Sequence, residues 1–284
     1  MPRSHPPALP VLVERTLREE CHVLRGSRIL LAVSGGGDSM AMLHATAPVA
    51  PSLGIELHAH GVDHGLRPEA SYELDEAECL ARELGIPFSR SKLAVEPGSN
   101  LQARARAHRY AELRKVAQML SAECIATAHH ADDRAETVLM RLMRGSGPVG
   151  LAVLAPRAGD LIRPLSRARK SDVSSYLARH QIRFAQDPSN CDARYLRSRV
   201  RHQLLPSLLQ ESPGLVKHLN SLADRMLELT SAGNASSLGL ARSQAEALQR
   251  IIQFPRDGAE IALGGGWILK LERKKIRVRA VVNQ

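Results

Sequence analysis

The sequence predicts an α/β fold: a doubly wound parallel sheet of five strands, followed by a small C-terminal region of helices and short strands. Three observations lead there. Short apolar runs alternate with helix-period segments from residue 29 to about residue 144, which is the pattern of βαβ units. The first run, Ile29 to Val33, passes straight into Ser34-Gly35-Gly36-Gly37-Asp38-Ser39 and then into a helical pattern. The polar clusters Asp63-His64 and His129-His130-Ala131-Asp132-Asp133 directly follow later runs, at the carboxyl ends of strands where open parallel sheets bind ligands.

In chain order, the proline-rich residues 1–10 are expected to be disordered, and Glu14 to Leu24 reads as a lead-in helix. Ile29 to Val33 is the first strand. The helix after the glycine loop is expected to take Ser39 as its N-cap and to end by Pro48, Pro51 and Gly54. Ile55 to Val62 is the second strand, Glu69 to Leu84 a helix closed by Gly85, and Pro87 to Val95 the third strand. Asn100 is placed to cap a long basic helix reaching about Leu120; Cys124 to Ala128 is the fourth strand, and Arg134 to about Arg144 the next helix. A short strand follows Leu161, then a helix from Asp172 to His180. The stretch from Arg194 to Leu205 is very basic, Leu215 to Leu229 is an amphipathic helix, and Ser231 to Gly239 reads as a linker. A helix near Gln244 to Ile252 leads to a strand, a glycine turn at Gly264 to Gly266 and two alternating strands, WILKLER and KIRVRAVV. The chain thus divides into a tail and lead-in helix (1–25), a catalytic domain (26–206) and a small C-terminal region (207–284).

A chain of 284 residues can bury a sizeable core. Its net charge of +10 points to a polyanionic partner such as nucleic acid. Aromatic residues are only 3% of the chain, so base stacking on aromatic platforms does not dominate recognition. The four cysteines are widely spaced with no Cys-x-x-Cys pair, which argues against zinc or a cluster and for thiols in a reducing compartment. No apolar run approaches membrane-spanning length and the N-terminus has no signal-peptide core. A cytoplasmic protein without membrane attachment is expected.

The glycine loop is an anion site by construction. Glycines allow the turn and close approach of a phosphate, and the helix start adds unpaired N–H groups and a positive dipole end. It lacks the lysine of a Walker A loop and does not match Gly-x-Gly-x-x-Gly. An acidic residue inside a phosphate loop repels its ligand unless a cation lies between, so Asp38 implies Mg²⁺ bridging to a polyphosphate. Asp63 and His64, in VDHGLR, can hold an adenine or ribose. Within NLQARARAHRY, Arg106 and Arg109 share a helix face; Arg106 suits a triphosphate or RNA phosphate, the alternative being a solvated basic face. TAHHADDRAET carries ligand-type residues without His-Glu-x-x-His spacing. Its carboxylates read as helix-start caps, or Asp133 and Glu136 as a pair for a cationic amine. RGSG, residues 144–147, is an amide-rich loop beside Arg144, suited to phosphate or to a plain helix stop.

SGGGDS, VDHGLR, NLQARARAHRY, TAHHADDRAET, RGSG, IRPL, DPSN and YLRSRVR occur in this order. SGGGDS resembles the PP-loop of the N-type ATP pyrophosphatases, and the whole series resembles the tRNA(Ile)-lysidine synthetases in their compact form. The resemblance covers roughly residues 28 to 206 and implies a Rossmann-like PP-loop ATPase. It implies ATP-dependent joining of L-lysine to the wobble cytidine of isoleucine tRNA with a CAU anticodon, through an adenylated tRNA, with a homodimer compatible. ATP would be held by Ser34, Gly35, Gly36, Gly37, Asp38 and Ser39 with Asp63 and His64, and Mg²⁺ by Asp38. Asp38, Arg106, His129 and Asp133 are the candidate catalytic residues. Arg106 would stabilise charge at phosphorus, and His129, titrating near neutrality when unperturbed, would assist proton transfer or positioning. Asp133 and Glu136 would recognise lysine. Arg109, Arg144, Arg194, Arg197, Arg199 and Arg201, with the tail KLERKKIRVR, would contact tRNA. The chain departs from the family pattern at Gly37, at Gln102 for the usual Glu, at Arg134 for Gln and at Ser198 for Asn. Two other readings stand beside this one: another PP-loop tRNA modifier such as a cytidine thiolase, and a non-catalytic RNA-binding protein with structural ATP.

Overall fold

The computed structural model describes residues 8–63, 70–93, 101–185, 195–236, 247, 250, 258–263, 267–272 and 275–280. His64, Asn100, Cys191, Arg194 and the glycine turn at 264–266 lie outside the described residues.

The larger unit comprises residues 1–140 and 154–220. Its sheet has the order β3-β2-β1-β4-β6-β5, with β1 Arg28–Val33, β2 Glu56–Asp63, β3 Phe88–Lys92, β4 Cys124–Ala126, β5 Arg157–Ala158 and β6 Leu161–Ile162. Five strands are parallel, as expected. A sixth, β5, folds back antiparallel on β6 at the edge, pairing Ala158 with Leu161. β6 lies where a short strand is expected after Leu161, whereas the two residues of β5 are too few to give a sequence signal.

After Arg28, β1 is apolar from Ile29 to Val33 because it is covered on both faces. Ile29, Leu31 and Val33 join one buried cluster with Leu9 and Val13 of α1 (Leu9–Arg15), Met40 and Leu43 of α2 (Gly37–Thr46), and Val173 and Leu177 of α8 (Lys170–Arg179). Leu30 points the other way, into a cluster with Val62, Ile125, and Leu113 and Ala117 of α5 (Leu101–Met119). The alternation is the two-residue period of a strand.

Several boundaries differ from expectation, each for a local reason. The lead-in helix begins at Leu9 rather than Glu14 and continues through a π-helical turn, Thr16–Glu20. Leu9, Val13 and Leu17 recur every four residues and all are buried, which orders residues 9 and 10; Pro10 sits in the first turn, where its missing N–H costs nothing. The N-cap of α2 is Gly36, not Ser39, so the helix starts directly from the glycine turn. After α3 (Ala50–Leu53) and α4 (Ala70–Glu83), α6 (Ala131–Leu142) begins three residues earlier than expected and takes Asp132 and Asp133 into its first turn. α8 is followed, after residues 186–194, by α9 (Leu196–Arg199), a π-helical turn (Val200–Leu204) and α10 (Leu205–Glu211).

The smaller unit comprises residues 141–153 and 221–284. It contains α7 (Pro148–Leu151) and an antiparallel three-stranded sheet of β7 (Glu260–Leu263), β8 (Trp267–Glu272) and β9 (Lys275–Ala280). α11 (Leu215–Ser236) runs into the segment expected to be a linker. No described helix is long and apolar enough to cross a membrane.

Because Leu31 is fully buried in the central strand, Leu31→Ala is expected to lower unfolding free energy by about 2–5 kcal/mol. Urea denaturation followed by circular dichroism measures it.

Candidate active site

The strand order places the site. From β1 the chain steps to β2 and β3 on one side, then crosses to β4 on the other. The crevice outside the carboxyl ends of β1 and β4 is therefore a topological switch point. The glycine loop leaves β1 there, and the histidine–aspartate cluster leaves β4 beside it. They line one cavity of about 1300 Å³, whose walls include Ser34, Asp38, Arg109, His129, Asp133 and Lys170.

The loop is held from three sides. Gly35 has φ +77°, and a Cβ there would meet the Glu73 carbonyl oxygen at 2.3 Å, so both its conformation and its neighbour exclude a side chain. Its carbonyl accepts the Ala185 N–H at 3.0 Å. Ser39 fastens the loop from inside the helix: its Oγ donates to the Gly36 carbonyl at 2.8 Å and accepts the Ser34 N–H at 3.1 Å. α2 starts at Gly37, so its unpaired first-turn N–H groups belong to the loop.

A line of alternating charges crosses the crevice. Lys170 Nζ lies 2.5 Å from Asp38 Oδ1. His130 Nε2 is 3.7 Å from Asp38 and 3.4 Å from Asp133. Its Nδ1 accepts the Asp133 N–H at 3.2 Å, which assigns the proton of a neutral ring to Nε2, facing both carboxylates. Asp133 Oδ1 accepts from Arg197 at 3.0 Å and Arg201 at 2.8 Å. Glu136, 2% exposed, accepts from Arg201 Nε at 2.7 Å and Arg197 Nε at 3.1 Å. Burial works to raise the Asp133 carboxyl, but the His130 and Arg197 charges outweigh it and hold the group below its ordinary value. Beside this line, Asp132 accepts the Arg169 fork at 3.1 Å and the Lys170 N–H at 2.7 Å.

Burial, with Arg163, Arg106 and Arg197 nearby, pushes the His129 imidazole down to about 3 despite the pull of Asp133. The ring is hydrogen-bonded to Thr127 Oγ1 at 3.0 Å, a contact that fixes its orientation. His60, on the cavity wall, is likewise pushed by burial to about 4 and sits between Ser89 and Ser91.

Of the residues picked from sequence, Ser34, Gly36, Gly37, Asp38, Ser39, His129, Asp133, Arg109, Arg197 and Arg201 line the cavity. Arg197 and Arg201, expected at RNA, hydrogen-bond the acidic pair expected at lysine. Arg106 is exposed and donates to Tyr110 Oη at 3.2 Å; Arg109 is the arginine of α5 on the cavity wall. Asp63 ends β2, its carbonyl accepting the Leu93 N–H. Arg144 and Arg199 are exposed, Arg144 in the turn after α6. Lys170 and His60 have no signal in the sequence, while His130 is legible there only as a member of the cluster, without a role of its own. Lys170 is 132 residues from Asp38 and no local motif links them.

Among the described residues no group of three or more His, Cys, Asp or Glu is placed to hold a metal. Cys21 and Cys124 are buried, and burial pushes the Cys21 thiol up to about 12 and the Cys124 thiol upward, so neither is a ready nucleophile.

The profile of the PP-loop domain family matches residues 11–208. A tRNA(Ile)-lysidine synthase of Thermobifida fusca is 40% identical over 219 residues, covering 76% of this chain and 68% of that protein. That of Symbiobacterium thermophilum is 39% identical over 216 residues, covering 72% of this chain and 44% of that protein. The chain thus spans about half the length of several relatives it matches. Among solved structures, a U34-tRNA thiolase from Methanococcus maripaludis superposes with TM-score 0.65 at 22% identity, covering 78% of this chain and 80% of that one, a likeness of fold.

Both His60 and His129 should stay unprotonated in the folded protein down to about pH 5. Imidazole NMR shifts that remain flat from pH 8 to 5 are the expected result. The unfolded chain binds those protons from about pH 6.5, so folding stability should fall as pH drops from 6.5 towards 4.

Proposed function

The chain belongs to the tRNA(Ile)-lysidine synthase family of PP-loop proteins, and we propose that it joins lysine to the wobble cytidine of isoleucine tRNA with a CAU anticodon, consuming ATP. One observation carries the reading. The phosphate loop's Asp38 and the carboxylate of Asp133 share one cavity and are bridged by the buried His130.

The first step is adenylation. The ring carbonyl oxygen of the cytidine bonds to the α-phosphorus, and the bond from that phosphorus to the bridging oxygen breaks, its electron pair leaving with pyrophosphate. The α2 start and Arg109 on the wall stabilise the charge that grows on the phosphoryl oxygens. Arg106, three residues earlier on the same helix, stands ready for a triphosphate or an RNA phosphate. Magnesium uses one or two protein carboxylates and completes its shell with phosphate oxygens and water, a donor set that Asp38 at the loop fits. When bound, the ion would offset the negative charge of the polyphosphate.

In the second step a lysine amine bonds to the activated ring carbon, the carbon–oxygen bond breaks with its electron pair leaving on AMP, and the amine's proton passes to solvent water. Asp133, held ionised, is the proposed partner of a lysine ammonium. Arg197 and Arg201 already bond it, so lysine must exchange with at least one guanidinium. Glu136 remains the anchor that keeps those arginines in place. Exposed Arg144 and Arg199 and the alternating Lys275, Arg277 and Arg279 of β9 supply cations for tRNA phosphates. Such an activity belongs in the cytoplasm.

Labelled lysine transferred to CAU-anticodon isoleucine tRNA, with release of AMP, tests the proposal; no labelling at saturating ATP would sink it. Asp38→Ala is expected to abolish adenylation. Asp133→Asn, which keeps an acceptor for the arginines, is expected to slow lysine transfer about tenfold or more while adenylated tRNA still forms. Equal loss of both steps would remove Asp133 from lysine recognition.

A further inference from the structure

The loop's sequence lacks the lysine that Walker A loops use on the β and γ phosphates. The fold brings one in from elsewhere. Lys170 opens α8, lines the cavity, and places its ammonium 2.5 Å from Asp38 Oδ1. The two ends of the residue are held by different groups. Its backbone N–H is fastened to Asp132 Oδ2 at 2.7 Å, and Asp132 is itself gripped by the Arg169 fork. Its side chain is half exposed and meets only Asp38 among the contacts described for it. An anchored backbone with a flexible four-carbon stem lets the ammonium swing while its root stays at the loop.

The chemistry on either side of this pair conflicts unless the pair is temporary. Asp38 facing an incoming polyphosphate is a like-charge clash. Lys170 cancels that charge, standing where a divalent cation would. Once a cation bridges Asp38 to the nucleotide, the ammonium loses its partner next to a strongly anionic ligand. His130 and Arg201, the other charged or titratable groups around Asp38, are tied to Asp133 and Glu136 and cannot follow it.

We propose that Lys170 is a phosphate-binding residue of the ATP site, handed from Asp38 to the β and γ phosphates when Mg²⁺·ATP binds. This rests on the ATP-cleaving reading of the site. Lys170 thereby supplies from α8 the cation that the loop itself lacks, and steadies the pyrophosphate as it leaves.

The test is equilibrium binding of α,β-methylene-ATP to the full chain, with thermal unfolding as a check on folding. In Mg²⁺, Lys170→Met should weaken binding about fivefold, and Lys170→Arg should restore most of it, since an ion pair this exposed is of that order. In EDTA, Asp38→Asn should bind the analogue more tightly than wild type, because Lys170 is released. In Asp38→Asn/Lys170→Met that gain should disappear. A gain that survives in the double variant would come from Asp38's charge alone and would overturn the hand-over, as would wild-type affinity in Lys170→Met. If the wild-type protein does not bind the analogue, the ATP reading falls with it; if it binds and Lys170 is immaterial, only this inference falls.

Discussion

The parallel pairing of β1 with β2 on one side and β4 on the other is the constraint on which the rest of the structure depends. It makes β1 the strand at which the winding reverses, so the loops leaving β1 and β4 open onto the same crevice. It also demands a strand that is apolar on both faces, and Ile29 to Val33 meets that demand by dividing its side chains between two buried clusters. A polar residue at Leu30 or Leu31 would disturb core and site together, because the glycine loop begins where that strand ends.

On this frame the crevice is an electrostatic device more than a shape. Lys170 stands against Asp38 and the two arginines against Asp133, with the His130 ring between the two carboxylates. Buried or half-buried carboxylates are costly without partners, and each one here has a cation or an N–H against it. Under the proposed function, an anion entering at the loop would compete for Lys170 and a cation entering at Asp133 would compete with Arg197 and Arg201. Both exchanges would swap one ion pair for another, so neither would leave a bare charge in a low-dielectric cavity.

The glycine loop shows how far local chemistry reads through to structure. Its anion-binding character follows from residues 34–39 alone, and Gly35 is required there by its own φ. The close approach of Glu73 to that glycine comes from α4 and has no trace in the loop's sequence. Ser39 was legible as a helix-start residue, yet it works from inside the first turn, because the glycines already make the cap and the hydroxyl is left to tie Ser34 to Gly36.

The sequence by itself determined the fold class, the order of the strands along the chain, the phosphate loop and the residue types of the histidine–aspartate cluster after β4. These depend on apolar periodicity and on motifs spanning a few residues, which local sterics and backbone hydrogen bonding translate directly into elements. Only the tertiary structure decided which charges meet. It set Lys170 on Asp38, Arg197 and Arg201 on Asp133 and Glu136, and Arg109 rather than Arg106 on the cavity wall. It also set the burial that keeps His129 neutral. Those partners are tens to more than a hundred residues apart, and pairing and desolvation at such distances follow from how helices pack on the sheet, which no local pattern encodes.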